Sequence, residues 1–201
     1  MEYLLNFHSI SLDKVRLIFE QQIDPHFEYH NLRHTFDVLA KAEEIGTAEG
    51  LNPHELALVK IAALFHDTGF AKARKNHEEQ SIKIFLESSA GSNLSLNDIE
   101  IICGCIRATR MPQNPQSLLE KVICDADLDY LGRPDFFEIG AALYREMLYA
   151  KELTEKSAWN SMQLAFLENH HYKTEYSKLN RIEGIRENIN LLKKKINREK
   201  N

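Results

Sequence analysis

Glycine and proline are scarce in this chain, eight and five residues of 201. With so few turn formers, and with no β-branched run alternating at period two, a sheet built of hairpins is excluded. Cysteine is scarcer still. Cys103, Cys105 and Cys124 form an odd set, and a C-x-C pair with one distant partner fits neither a disulfide scaffold nor a common zinc spacing. They read as reduced core thiols. No apolar stretch approaches the roughly 20 residues that cross a bilayer, and the opening MEYLLNFHSISLDK lacks the basic and apolar regions of a secretion signal. These absences predict a cytoplasmic protein with no membrane partner. A positive excess is also missing: 25 Lys and Arg against 30 Asp and Glu leave a net charge of -5, so no nucleic-acid polymer is expected.

What is present points to helices. Hydrophobic residues at 43% and charged residues at 27% are globular proportions, ample for a core and too apolar for a disordered chain. Leu12, Val15, Leu17, Ile18 and Phe19 recur at helical spacing, predicting a helix from Ser11, as cap, to Gln22, stopped by Asp24-Pro25. A second helix is expected from about Tyr29 to Glu49. Asn52-Pro53 is a cap followed by a first-turn proline, and the helix that it opens is apolar nearly all round through Phe65, as a central helix would be. Further helices are expected at about 76–89, 96–107, 117–131, 135–151, 155–169 and 175–197, with Gly, Pro, Asn and Ser between them. No repeat or linker divides the chain, so 1–201 is expected to be one all-α domain. Aromatic residues such as Phe136, Phe137, Tyr144, Trp159 and Phe166 fall at helical spacing and read as core.

Chemistry concentrates in three places. His30 and His34, in YHNLRHTFDV, are four apart and within a helix would share a face. His66-Asp67 ends the central apolar helix, where a carboxylate opposes the helix dipole and both groups need partners once buried. A divalent cation satisfies both, and imidazole with carboxylate suits Zn, Fe, Mn, Ni or Co. The third place is ICDADLDYLG. Against the face of Leu118, Leu119, Val122, Ile123, Ala126 and Tyr130, Asp125 and Asp127 fall about 100° to either side, so helical phase leaves both open.

The run HNxxHxxxV, then ALFHD, then an Asp in an ADLxxL context resembles the HD superfamily of metal-dependent phosphohydrolases, over about residues 27–135. The resemblance implies an all-α helical bundle, here with additional C-terminal helices over about 135–198. It also implies a divalent ion (Mn, Zn, Fe, Ni, Co or Mg) on His34, His66, Asp67 and Asp127, the Ala-Asp pair selecting Asp127 over Asp125. The other aspartate would then accept a hydrogen bond from a ligand histidine. His30 resembles the histidine that serves as general acid in the cyclic nucleotide phosphodiesterase branch, a task suited to an imidazole. Asp67 is the second residue expected in catalysis.

His77 corresponds to a position that in several branches touches substrate phosphate or a second metal; otherwise it is an exposed residue at a helix start capped by Asn76. The segment IICGCIRATR supplies no further histidine, so one ion is expected. Lys72, Arg74 and Lys75 follow the Asp67 turn, where they either neutralise phosphate or form a solvated loop; Arg107, Arg110 and Arg133 are similar candidates. The expected substrate is a small phosphorylated molecule, a nucleotide mono- or diester first, attacked by metal-activated water. Two other readings share these residues: a nucleotide-sensing module without turnover, and a di-iron oxygenase. The helices after residue 135 would cover the pocket or form the seam of a homodimer.

Overall fold

The computed structural model describes residues 2–153 and 156–199. Among them there is no strand, and nine α-helices follow in order: α1 Glu2–Gln22, α2 Leu32–Ala48, α3 Pro53–Phe65, α4 His77–Ser89, α5 Leu96–Ala108, α6 Leu118–Asp127, α7 Phe136–Tyr149, α8 Lys156–Asn169 and α9 Glu175–Glu199. Short 3-10 turns follow α3 (Thr68–Ala71) and α6 (Asp129–Gly132).

Helix α3 is central. Asn52 caps it through a capping box with Glu55, Pro53 takes its first turn, and eight of its residues are buried against α1, α2, α5 and α6. Cys103, Cys105 and Cys124 are buried free thiols of this core, as expected. A second apolar cluster gathers Leu131, Phe136, Leu167, Ile185 and Leu192 from the chain after α6. There α9 crosses the 129–132 turn at backbone contact: a Cβ at Gly184 would stand 2.0 Å from the Gly132 carbonyl oxygen. Asn188 Nδ2 donates to the carbonyls of Leu131 and Arg133, and fully buried Asp129 pairs with Arg133 and Arg181.

Three expected boundaries move. Helix α1 begins at Glu2, so Ser11 lies mid-helix and does not cap it. The reason is a buried stripe of Leu4, Phe7, Ser11, Val15 and Ile18, spaced by three and four, in which Ser11 takes a core position. Helix α2 begins at Leu32, because the Asn31 side chain accepts from the amides of Arg33 and His34. Tyr29 and His30 therefore precede it and do not share its face. Helix α6 ends at Asp127: the Tyr172 hydroxyl donates to the carbonyls of Leu128 and Asp129 in place of a continuing helix. No described helix is long and apolar enough to cross a membrane.

Candidate metal centre and its cavity

Four side chains from three parts of the chain converge. His34 comes from the first turn of α2, His66 and Asp67 from the end of α3, and Asp127 from the end of α6. His34 Nε2 lies 3.3 Å from His66 Nε2, 3.1 Å from Asp127 Oδ1 and 3.4 Å from Asp67 Oδ2. His66 Nε2 lies 3.1 Å from Asp67 Oδ2 and 3.5 Å from Asp127 Oδ1. Donors about 2.0–2.2 Å from a common ion stand about 3.0–3.5 Å from one another; the ligand atoms of His34, His66 and Asp127 all lie within 4.8 Å of one another, a spacing of that size, and Asp67 Oδ2 adjoins both imidazoles of the set.

The surroundings prepare the atoms for that use. His66 Nδ1 donates to the Ala63 carbonyl at 2.8 Å, which turns the Nε2 lone pair toward the cluster. Ser81 bridges the turn, donating to the His66 carbonyl and accepting from the Gly69 amide. A Cβ at Gly69 would meet the His77 carbonyl oxygen at 1.9 Å, so only glycine lets the turn lie against the start of α4. Asp67 Oδ2 is buried without a hydrogen-bond partner, a costly state that a cation relieves. Burial disfavours charge on all four groups, and their mutual attraction outweighs it. Both imidazoles are pushed up, His66 well above its ordinary range, and both carboxylates are held below theirs. A cation fits this donor set and would compete with protons for the ring nitrogens.

Asp125, by contrast, faces the start of α9. Its carboxylate accepts from the amides of Lys173 and Thr174 and from the Thr174 hydroxyl. It binds no histidine of the cluster, which corrects the expectation that the spare aspartate would orient one: the two steps from Asp125 to Asp127, about 100° each, turn the two carboxylates to opposite sides of α6.

Beside the cluster opens a cavity of about 600 Å³, lined in part by His30, Asp67, His77 and Asp127. His30 stacks on Phe70 with ring centroids 4.0 Å apart, and Phe70 stacks on His77 at 4.2 Å. His77 Nδ1 donates to the Arg74 carbonyl, and its Nε2 lies 3.5 Å from Asp67 Oδ1. Arg74 lines the cavity but its guanidinium is engaged by Glu146 and Glu152. Lys72 is exposed and is not among the lining residues; Lys75 and Arg110 are.

Sequence reasoning missed Glu146, which is fully buried on α7. It accepts from the amides of Tyr29 and His30 at 3.0 Å each and meets His30 Nδ1 at 2.5 Å. Burial raises its carboxyl, but His30 and Arg74 bring it down to about 2. A lone Glu in REMLY carries no local signal of that role. The cavity walls from α7 and α8 were missed likewise: Phe136, Trp159 and Phe166, read as core, also line the cavity.

Comparison with known proteins agrees with this geometry. Residues 31–129 match the HD domain family. One similar solved structure is a predicted HD superfamily hydrolase from an uncultured Thermotogales bacterium, 25% identical, covering 80% of this chain and 86% of that one with a TM-score of 0.53. No curated protein sequence matches the chain. Over residues 31–129, this chain thus carries an HD domain.

Proposed function

We propose that this protein is a metal-dependent phosphohydrolase that cleaves a phosphate ester of a small organic molecule. The observation that carries the reading is the convergence of His34 and His66 on Asp67 and Asp127 at 3.1–3.5 Å, with the two aspartates on the wall of a cavity. A divalent cation held there supplies Lewis acidity toward the phosphoryl oxygen and a water acidified to near neutral pH.

The chain's own groups complete the chemistry. Glu146 takes the Nδ1–H of His30, which leaves Nε2 to carry the proton given to the departing oxygen; the carboxylate steadies the imidazolium before that transfer. Arg74, paired with Glu146 and Glu152, is a positioning residue for this dyad more than a free grip on phosphate. Lys75 is the lining cation suited to the phosphate, with His77 beside Asp67 as a further donor, whereas the Arg110 guanidinium is engaged by Glu78 and Glu79. The HD resemblance makes nucleotide mono- and diesters the reference substrates.

The test is phosphate or alcohol release from monoester and diester aryl phosphates and from nucleotides, with Mn, Co, Ni, Mg or Zn added to chelator-stripped protein. Turnover that depends on metal and is lost in Asp67→Asn supports the proposal. Folded protein that binds nucleotide and releases nothing with any metal would leave a sensing module in its place.

A further inference from the structure

We propose that the alcohol part of the substrate is apolar, an alkyl or aryl group seated in the chamber between α7 and α8 while its phosphate lies at the metal centre. The proposal rests on the phosphohydrolase reading and sets an apolar group in place of the nucleoside of the reference substrates.

The two ends of the cavity differ in chemistry. At the cluster end stand His30, Asp67, His77 and Asp127. Beyond them α7 contributes Phe136, Leu143 and Met147, and α8 contributes Trp159, Met162 and Phe166. Gln163 is the single amide that these two helices add to the lining. Burying a nucleoside there would strip a base and a ribose of water with almost nothing to replace it, the arrangement that binding sites for polar groups avoid. An apolar group loses nothing on entering and gains with every carbon buried.

Composition supports the same reading. The chain has four methionines and one tryptophan, and Met111, Met147, Met162 and Trp159 all line this cavity. Thioether side chains are flexible and polarizable and mould to apolar ligands of varied shape. Met111 and Met162 are 52% and 40% exposed, apolar surface that a ligand in the chamber would cover. These walls lie outside residues 31–129 except for Met111 and Leu128, so the chamber is built mainly by the part of the chain that follows the HD domain.

Trp159, as the one tryptophan, is an intrinsic reporter. The experiment titrates methyl-, butyl-, hexyl- and octylphosphonate, which cannot be hydrolysed as esters, and the phosphonate analogue of AMP into full-length, Mn-loaded protein, below micelle-forming concentrations, and follows Trp159 emission. The expected result is a dissociation constant that falls about fourfold per methylene, the worth of a buried CH2, until the chamber is full. The AMP analogue should bind more weakly than hexylphosphonate. Met162→Lys should shrink the methyl-to-octyl ratio several-fold. A series that is flat with chain length, or an AMP analogue that binds more tightly than octylphosphonate, overturns the proposal. Phosphate release from the matching alkyl phosphates is measured in parallel. Chain-length-dependent binding without release by any metal form would sink the phosphohydrolase reading and leave the chamber's preference standing; release with a flat series would do the reverse.

Discussion

Glu146 holds His30 across 116 positions of sequence, with one carboxylate oxygen on the ring Nδ1 and the other on the amides of Tyr29 and His30. The contact orients the imidazole and also fixes the segment that leads into α2, so ring and backbone are set by one buried group.

Replacing that group separates its two roles. Glu146→Gln should lower kcat about 100-fold, the usual scale for losing a positioned general acid, with a smaller change in KM, and His30→Asn should add little more in the double variant. Stability should also respond to acid. The folded carboxyl sits at about 2 against an ordinary value of 4.5. Its contribution, about 3 kcal/mol, is therefore full above pH about 4.5 and is lost as pH falls toward about 2. Denaturant unfolding of wild type and Glu146→Gln at pH 7, 4 and 3 checks this: the gap between them should narrow as the pH falls.

Asp125 and Asp127 should part company under substitution. Asp127→Asn and Asp67→Asn should abolish the rise in melting temperature that Mn or Zn gives the stripped wild type, a rise worth about 2.7 kcal/mol at 100 times the dissociation constant. Asp125→Ala should keep that rise and lose about 2–4 kcal/mol of stability, because two amides and a hydroxyl are left without their acceptor. Thermal shift with and without metal, on all three variants, decides it.

Phe70 stacks on both His30 and His77, whose own ring centroids lie 6.1 Å apart. Phe70→Ala should cost about 3–5 kcal/mol as a buried aromatic truncation. Phe70→Leu should cost far less and still lower turnover, since a branched aliphatic chain fills the space without presenting a flat face to either ring. Comparing kcat of the Leu variant with its melting temperature separates ring alignment from folding.

Gly69→Ala should destabilise by about 1–3 kcal/mol or more and weaken metal affinity in the same variant, because the new Cβ would lie 1.9 Å from the His77 carbonyl oxygen and the turn that carries Asp67 must shift. Unfolding at fixed pH with calorimetric metal titration measures both; unchanged affinity would show that the turn absorbs the strain without moving Asp67.

Much of the scaffold was legible because its signals are local. Asn52-Pro53 with Glu55 wrote the start of α3, and its all-round apolar pattern wrote its burial. The start of α2 was legible in principle at Asn31, a residue favoured as a cap, but the four-residue spacing of His30 and His34 suggested one continuous helix. That spacing has a different origin: the rings approach, with centroids 6.1 Å apart, although His30 lies outside the helix. Ser11 misled for the opposite reason, since a good capping residue also fits a small gap in a buried stripe.

The sequence by itself determined the all-α class and the central helix, because capping and periodicity act over a few positions, and its resemblance to the HD superfamily singled out His34, His66 and Asp67 with an aspartate of ICDADLDYLG. Only the tertiary structure decided between Asp125 and Asp127, joined Glu146 to His30, engaged Arg74 with two carboxylates, and lined the cavity from α7 and α8. Those outcomes depend on which faces meet when distant helices pack, and the pairing of buried charges across such contacts leaves no pattern in the spacing of residues along the chain.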